Sequence, residues 1–383
     1  MFVEKREFPP KKLAFMSPNS ASNFLSLLLD LKRCPTTIVC GAGLSASVGL
    51  PTWVNLLKKL SFSFFEHWDF DIRHHRNNVT YESPPKNLSI AFTRGLGFYE
   101  LYQNISYLAE ENTESKQAYE LLKSQLDVVI NPELPSMMEK FTDNDALLVA
   151  QLIKNCIKVR DWNYLLRKSL YQSYEHTEFN PVKSKLIYSL IELLKSFELK
   201  TDAILNFNYD NFFELFLKED NINCCAIFNE NKCPPSGCIP IYHPHGYIPF
   251  HGGPVSKIIL AESEYQQEAL NPHSWSNFIQ TVCFNRAVCV FVGSSMKDPN
   301  LRRLLRMNNS LRKTTHYAFL DTSPIKDKTQ QMYESLFDYD LRTLGVKVIR
   351  YERHDNSKEP HHQLTETIHL LKMALEDKEY IWA

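Results

Sequence analysis

Glycine is scarce in this sequence, with 11 residues in a chain of 383. Three of the 11 are Gly41, Gly43 and Gly49, which lie close together in the chain. A protein that uses so little glycine is expected to place it where the backbone needs a positive φ angle or a close approach. Residues 36–55 are therefore the first candidate for a functional site.

Several protein classes are excluded by what else is missing. No apolar run is long enough to span a bilayer, and residues 1–6 lack the apolar core of a signal peptide. The formal net charge is −1, which gives no overall field to attract nucleic acid, although Arg302, Arg303 and Arg306 form a local basic cluster. We therefore expect a cytoplasmic protein with neither a membrane nor a nucleic acid as direct partner.

Cysteine is present but follows no metal-ligand spacing. The chain has nine cysteines and no Cys-x-x-Cys pair. Cys34, Cys40, Cys283 and Cys289 lie in or beside apolar runs, where a thiol packs as a small hydrophobic group. The cysteine pattern is therefore compatible with a reducing compartment.

Residues 36–48 predict a strand, a tight turn and the start of a helix. The β-branched run 36–40 predicts a buried strand, and the Gly-Ala-Gly turn 41–43 follows it directly. Glycines let the backbone approach a ligand, and unpaired N–H groups at a helix N-terminus attract phosphate. The third glycine of the usual dinucleotide fingerprint is replaced by Ala46. The turn therefore predicts either a nucleotide site or an ordinary strand-to-helix connection.

Strands and helices alternate after residue 200, which predicts a parallel sheet covered on both faces. We predict an α/β fold of the Rossmann type with a large helical insertion. Strands are predicted at 36–40, 203–207, 226–228, 257–260, 287–292, 317–320 and 346–350. The helices predicted between and after these later strands cover 211–217, 265–286, 299–307, 325–336 and 362–375.

The domain organisation is predicted from the same patterns. Residues 1–18 predict an extended arm, and residues 356–383 a C-terminal helix. Residues 70–200 show helical periodicity at 118–126, 145–159 and 183–194, with no convincing strands. We therefore predict a Rossmann-like domain formed by 19–69 and 201–355, interrupted by a helical insertion at 70–200.

The ends of the predicted strands carry the unusual residues. Ligands of open parallel sheets bind beyond the carboxyl ends of the strands. The second such end, 206–211, holds Asn208 and Asp210, which are either functional groups or only turn formers and helix caps. The third end holds His243, His245 and Gly246. A neutral histidine there suits a general base, although a satisfied turn residue or a pair of metal ligands is also compatible.

The fourth strand end carries hydroxyl groups and a carboxylate. Gly293 follows a predicted buried strand, and Ser294, Ser295 and Asp298 come before the next helix. These side chains suit a ribose or a phosphate. The alternative is that Asp298 simply caps a helix whose first residue is Pro299.

In this order the four segments resemble the motifs of the sirtuin superfamily. The matching segments are Gly41-Ala42-Gly43-Leu44-Ser45 with Gly49-Leu50-Pro51 (phosphate loop), Asn208-Tyr209-Asp210 (Asn-x-Asp), His245-Gly246 (catalytic His-Gly) and Gly293-Ser294-Ser295 (late Gly-Ser/Thr-Ser). The resemblance spans about residues 36–321 outside the helical insertion. Four motifs in the right order are more specific than any one of them.

Two departures from the protein-deacylating sirtuins point to a subgroup. Those enzymes hold a structural zinc with two Cys-x-x-Cys pairs after the catalytic histidine, whereas Cys224, Cys225, Cys233 and Cys238 precede His245 here, so no zinc is expected. The deacylases also carry an aromatic residue and an arginine after a Gly-Ile-Pro segment, whereas in this chain Trp53 is followed by Val54 and Asn55. The Pro-x-Trp, Asn-Tyr-Asp and Gly-Ser-Ser-x-x-Asp-Pro-Asn segments and the run 259–265 are instead similar to bacterial antiphage proteins that hydrolyse NAD.

The resemblance implies a role for each matching residue. Asn208 would hold the nicotinamide-side ribose and position water, and Asp210 would fix that loop. His245 would act as the base toward a ribose hydroxyl or the water. The implied NAD contacts are Gly41, Ala42, Gly43 and Ser45 on the pyrophosphate, Ser294, Asp298 and Asp321 on the adenosine ribose, and Trp53, Gly293 and Ser295 elsewhere on the cofactor. The implied reaction is hydrolysis of NAD to nicotinamide and ADP-ribose.

The resemblance also implies partners and leaves alternatives open. Some of the similar defence proteins act alone as oligomers, and others pair with a HerA-type ATPase or an Argonaute. We therefore expect a homo-oligomer, or a complex with a HerA-type ATPase. The alternative activities are NAD-dependent protein deacylation and the binding of NAD or ADP-ribose without turnover.

Overall fold

The computed structural model describes most of the chain on either side of one long gap. The described residues are 8–57, 59–60, 146–156, 159–171, 174, 184–253, 255–322, 327–354, 359–377 and 379–382. The predicted helix at 118–126 lies outside this set. In the described parts, no helix has the length and apolar character needed to cross a membrane.

The chain divides into two compact units, Met1–Thr52 with Ser173–Ala383, and Trp53–Gln172. The described residues of the second unit include helical residues at 53–57 and the helices α3 (Ala146–Cys156) and α4 (Val159–Tyr171). Trp162, Leu165 and Leu166 of α4 are buried.

A single parallel sheet of seven strands forms the centre of the first unit. Its strand order is β3-β4-β2-β1-β5-β6-β7. The strands are β1 (Thr36–Cys40), β2 (Thr201–Asn206), β3 (Cys224–Ile227), β4 (Ile239–Tyr242), β5 (Val288–Val292), β6 (His316–Thr322) and β7 (Val346–Glu352). Every pair of neighbouring strands is parallel. The predicted Rossmann-like α/β fold is confirmed.

The central strands β1 and β5 are buried along their whole length. This burial explains their continuous apolar sequences, because a parallel strand covered on both faces has no polar side. One face carries Val39, Leu205 and Phe291, which pack against buried residues of α8, α9 and α10. Tyr317 points to the other face, where its hydroxyl donates to Asp30 of α1 at 2.6 Å.

The helices of the first unit connect the strands or pack against their ends. They are α1 (Pro18–Arg33), α2 (Ala42–Ala46), α5 (Lys185–Leu194), α6 (Phe212–Glu219), α7 (Glu262–Leu270), α8 (Trp275–Arg286), α9 (Pro299–Leu311), α10 (Lys328–Thr343) and α11 (His362–Glu376). Helix α5 lies within the predicted 70–200 insertion but packs against α11 in the first unit. The predicted C-terminal helix is confirmed as α11.

The described part of the predicted N-terminal arm packs against the first unit. Lys11–Leu13 forms a short 3₁₀ turn, with Leu13 fully buried and Met16 nearly so. The amine of Lys12 lies 3.4 Å from the centre of the Tyr380 ring, a cation–π contact. Residues 11–16 are therefore anchored by burial and by the C-terminal segment.

Two secondary-structure predictions are wrong. Residues 257–260 form no strand, although Ile258, Ile259 and Leu260 are buried, because apolar periodicity reports burial rather than strand pairing. Strand β4, which was not predicted, lies between β3 and β2 in the sheet, and Pro240 within it weakened its strand signal. The single helix predicted at 265–286 is two helices, α7 and α8, separated at 271–274 by a turn that contains Pro272.

The turns after β1 and β5 give a stability prediction with a matched control. Gly293 and Gly237 both have positive φ angles, +68° and +73°, but a Cβ at Gly293 would lie 2.5 Å from the amide nitrogen of Leu44, whereas one at Gly237 would meet nothing within 4 Å. Gly237→Ala should lower the free energy of unfolding by about 1 kcal/mol through backbone strain. Gly293→Ala should cost about 1–3 kcal/mol more because of crowding.

Urea-induced unfolding followed by circular dichroism measures both changes. Equal losses of stability in the two variants would contradict the close packing of the turns.

Candidate active site

Four neighbouring strands end at one edge of the sheet, and each is followed by one of the predicted segments. Strands β4, β2, β1 and β5 are consecutive in the sheet, and their carboxyl ends lead into residues 243–246, 206–211, 41–45 and 293–298. The strand order therefore places the four predicted motifs side by side. Strands β2 to β4 lie on one side of β1, and strands β5 to β7 lie on its other side. The switch point between β1 and β5 is the position where open α/β sheets bind ligands.

The glycine turn after β1 packs backbone to backbone against the turn after β5. The amide of Gly43 donates to the carbonyl of Gly293 at 2.8 Å, and that of Gly41 donates to Val292 at 2.9 Å. A Cβ on Gly41 would lie 2.5 Å from the Gly293 oxygen. Loop packing thus already requires these glycines, and two of the N–H groups predicted to bind pyrophosphate donate within the protein.

Asn208 is fixed by the turn after β1. Its backbone amide donates to the side chain of Asn206 at 3.1 Å, and its side-chain nitrogen donates to the Gly41 carbonyl at 3.0 Å. Within the described part of the chain, no hydrogen bond reaches the amide oxygen of Asn208. This oxygen is therefore available to accept a hydrogen bond from a ligand.

Asp210 links the loop after β2 to helix α2. Its carboxylate accepts hydrogen bonds from the Ser45 hydroxyl at 2.6 Å and from the backbone amide of Phe212 at 3.1 Å. Burial raises the pKa of Asp210 to about 6, although the bonds from Ser45 and Phe212 act in the opposite direction. The Ser45 hydroxyl, predicted to bind pyrophosphate, is occupied by Asp210.

His243 is buried between two hydrogen-bond acceptors. Its Nδ1 lies 3.0 Å from the Asn208 carbonyl, and its Nε2 contacts the carboxylate of Glu214 on α6. Only a doubly protonated ring donates to both acceptors. Burial lowers the pKa of His243, but the charge and hydrogen bond of Glu214, with the Asn208 carbonyl and Asp210, raise it above the ordinary value overall.

His245, two residues further on, has the opposite electrostatic environment. Its side chain is 8% exposed and lies edge-on against the rings of Phe207 and Tyr265, with centroid distances of 4.8 and 5.6 Å. Burial lowers the pKa of His245, while Asp298 and Glu268 oppose that effect. The ring is therefore neutral at pH 7 and able to accept a proton.

The loop after β5 brings a carboxylate towards His245. One oxygen of Asp298 caps α9 by accepting from the Leu301 amide at 2.6 Å, as the helix-cap alternative predicts. The other oxygen accepts from the Tyr265 hydroxyl at 2.7 Å and lies 3.7 Å from Nε2 of His245. Among the described residues, Nε2 of His245 has no hydrogen-bond partner.

The remaining predicted NAD contacts of the first unit lie at or beyond this edge. Ser294 accepts from the Met296 amide at 3.2 Å, and Ser295 is exposed. Asp321 lies near the end of β6, next to β5, and its carboxylate pairs with Arg353 at 2.8 Å. Trp53 belongs to the second unit, so its role at the site stays a prediction.

Sequence reasoning missed three side chains of this site. Glu214 is the lone buried carboxylate within the apolar run 212–217, and an acidic residue at such a position is itself a signal of a buried partner. Tyr265 belongs to the 259–265 run that carried part of the resemblance, but it was assigned no role. Phe207 belongs to the predicted strand 203–207 and to the candidate segment 206–211, but neither pattern predicts a role for its side chain. In the described residues, no group of three or more His, Cys, Asp or Glu side chains is arranged to hold a metal ion.

The raised pKa of Asp210 gives a pH-dependent stability prediction. Ionisation of Asp210 is favoured in the unfolded chain, so its contribution to stability is present below pH 3.8 and is lost as pH rises through about 6. The free energy of unfolding of Asp210→Asn should therefore rise relative to wild type by roughly 2 kcal/mol between pH 4 and 7.

Denaturant unfolding of both proteins at several pH values measures this difference. A constant difference across the range would contradict the raised pKa of Asp210.

Comparison with known proteins supports the family resemblance over part of the chain. A search of curated proteins finds no match. Residues 202–344 match the family model of the SIR2-like domain. The matched region begins in β2 and includes Asn208, Asp210, His245 and the loop after β5, whereas the glycine turn after β1 precedes it. This match supports a place for the chain in the sirtuin superfamily.

Proposed function

We propose that the protein is an NAD glycohydrolase, which cleaves NAD to nicotinamide and ADP-ribose. SIR2-like domains bind NAD, and their family is usually enzymatic and NAD-dependent. The observation that carries the proposal is the state of His245, a neutral and buried ring at the carboxyl edge of the sheet. It packs against Phe207, the neighbour of Asn208 in the loop that holds the second predicted catalytic group.

Cleavage of NAD needs no acid catalyst to protonate the leaving group. The nicotinamide ring of NAD is a cation and leaves as a neutral molecule when its bond to the ribose breaks. A water oxygen forms the new bond to the same ribose carbon, and one water proton is released. The protein therefore has to orient the ribose, stabilise its developing positive charge and accept that proton.

The proposed roles follow from the hydrogen bonds at the edge. The amide oxygen of Asn208 accepts from the attacking water or a ribose hydroxyl, because its amide nitrogen is already bonded to Gly41. His245 accepts the released proton. Asp210 holds the Asn208 loop against α2 through Ser45 and does not contact the reacting atoms. The turn 41–45 and residues 293–295 contact the rest of NAD.

Two substitutions test the catalytic assignment. His245→Ala removes the base and Asn208→Ala the positioning amide, so each should lower the rate of NAD cleavage by about 100-fold or more. Nicotinamide and ADP-ribose are measured by chromatography after incubation with NAD. His273→Ala, which changes an exposed histidine between α7 and α8, should keep the wild-type rate.

Three outcomes contradict parts of this proposal. Wild-type turnover in both His245→Ala and Asn208→Ala would remove the catalytic assignment. Calorimetric binding of intact NAD with no product would indicate a binding protein without turnover. Loss of an acyl group from an acyl-lysine peptide only when NAD is present would indicate a deacylase.

We further propose a role in bacterial antiphage defence through NAD depletion, with control by assembly. An uncontrolled NAD hydrolase would harm its own cell, and the similar defence proteins act as oligomers or with a HerA-type ATPase. Native mass measurement should therefore give a homo-oligomer, or a larger complex when a HerA-type ATPase is added. A monomer in both experiments would contradict control by assembly.

A further inference from the structure

Asp298 has two carboxylate oxygens, and the structure gives each a partner inside the protein. One oxygen accepts from the Leu301 amide as the cap of α9. The other accepts from the Tyr265 hydroxyl and faces Nε2 of His245 at 3.7 Å. The resemblance assigns Asp298 to the adenosine ribose of NAD. In the structure, both oxygens of Asp298 instead accept hydrogen bonds from groups of the protein itself.

Nε2 of His245 lacks a hydrogen-bond partner among the described residues, although it is buried. Buried polar atoms in native proteins are almost always paired, so this nitrogen needs an explanation. The side-chain oxygen of Asp298 that forms the contact is the one already fixed by Tyr265. A catalytic hydrogen bond is often long in the free enzyme and tightens when substrate binds.

The surroundings hold both members of this contact in place. The backbone carbonyl of His245 accepts from the Ile259 amide at 2.8 Å, and Tyr209 donates to the Ile259 carbonyl at 2.8 Å. Helix α7, which carries Tyr265, starts directly after this segment, where the Ala261 amide donates to Glu264 at 2.7 Å. Burial and the nearby Asp298 raise the pKa of Tyr265, so its hydroxyl remains a donor.

We propose that Asp298, fixed by Tyr265, is a positioning residue for His245 and not a ribose ligand. Its carboxylate accepts a hydrogen bond from the Nε2–H group of the neutral ring, which leaves the Nδ1 lone pair to take the proton released from water. The carboxylate then stabilises the imidazolium that results. The catalytic effect of this role rests on the proposed function. The arrangement of Asp298, Tyr265 and His245 in the free protein does not depend on it.

Asp298→Asn separates this role from ribose binding. Asparagine and aspartate are about equally good N-cap residues, so α9 should remain intact. We expect kcat to fall at least 10-fold while KM for NAD stays within twofold. Tyr265→Phe, which removes only the hydroxyl, should lower kcat by a smaller factor. The matched control is Asp327→Asn, since Asp327 caps α10 through the Gln330 amide at 2.7 Å and is exposed.

The pH profile gives a second readout that a merely structural role would not move. The charged and titratable groups facing His245 are Asp298 at the N-cap of α9 and Tyr265 and Glu268 on α7. Because Asp298 raises the pKa of His245, Asp298→Asn should shift the acid limb of the kcat profile to lower pH. An unchanged acid limb together with a raised KM would overturn the proposal in favour of ribose binding.

Nuclear magnetic resonance of ¹⁵N-histidine-labelled protein tests the arrangement without turnover. The His245 signals are assigned by their loss in His245→Gln. Wild type should show the Nε2-protonated tautomer, and Asp298→Asn should lower the pKa of His245. The Nδ1-protonated tautomer in wild type, or an unchanged pKa in Asp298→Asn, would overturn the proposal. If wild type does not cleave NAD, the proposed function fails while this experiment still decides the role of Asp298.

Discussion

The carbonyl oxygen of Gly41 joins the loops at the carboxyl edge of the sheet, and the positions of the other site residues depend on it. It accepts from the Leu44 amide at 2.9 Å and from the side chain of Asn208 at 3.0 Å, so it joins the first turn of α2 to the loop after β2. Its position is set by the contact between the turns at Gly41 and Gly293, which no side chain larger than hydrogen permits. A backbone contact between two strands distant in sequence thus determines where Asn208 lies.

Burial gives the ionisable groups at this edge unequal protonation. It raises the pKa of Asp210 and lowers that of His245, while Glu214 and the Asn208 carbonyl raise that of His243 against the effect of burial. His243 and His245 are separated by one proline, yet the pKa of the first is raised and that of the second is lowered. The difference comes from their partners, because the Glu214 carboxylate contacts Nε2 of His243, whereas His245 lies against aromatic rings and its Nε2 is 3.7 Å from the Asp298 carboxylate.

The sequence predicts much of this fold and the position of its candidate site. Apolar runs predicted most of the strands, and the residues that follow four of them were recognised as candidates. The sequence could not show that these four strands are neighbours, because pairing depends on contacts far apart in the chain. It failed at 257–260, where burial occurs without strand pairing, and at Pro240, where a strand contains a residue that strands disfavour. The partners of Asp298 and His243 also escaped prediction, since residues 265 and 214 reach them only through the tertiary structure.

The hydrogen bond between Ser45 and Asp210 allows the charge of the site to change while its geometry stays the same. A serine hydroxyl both donates and accepts, so it can donate to the ionised carboxylate or accept from the protonated one. When Asp210 titrates near pH 6, the hydroxyl rotates and the two loops remain tied, while the negative charge appears or disappears. The edge of the sheet can therefore keep one shape over a pH range in which its electric field changes.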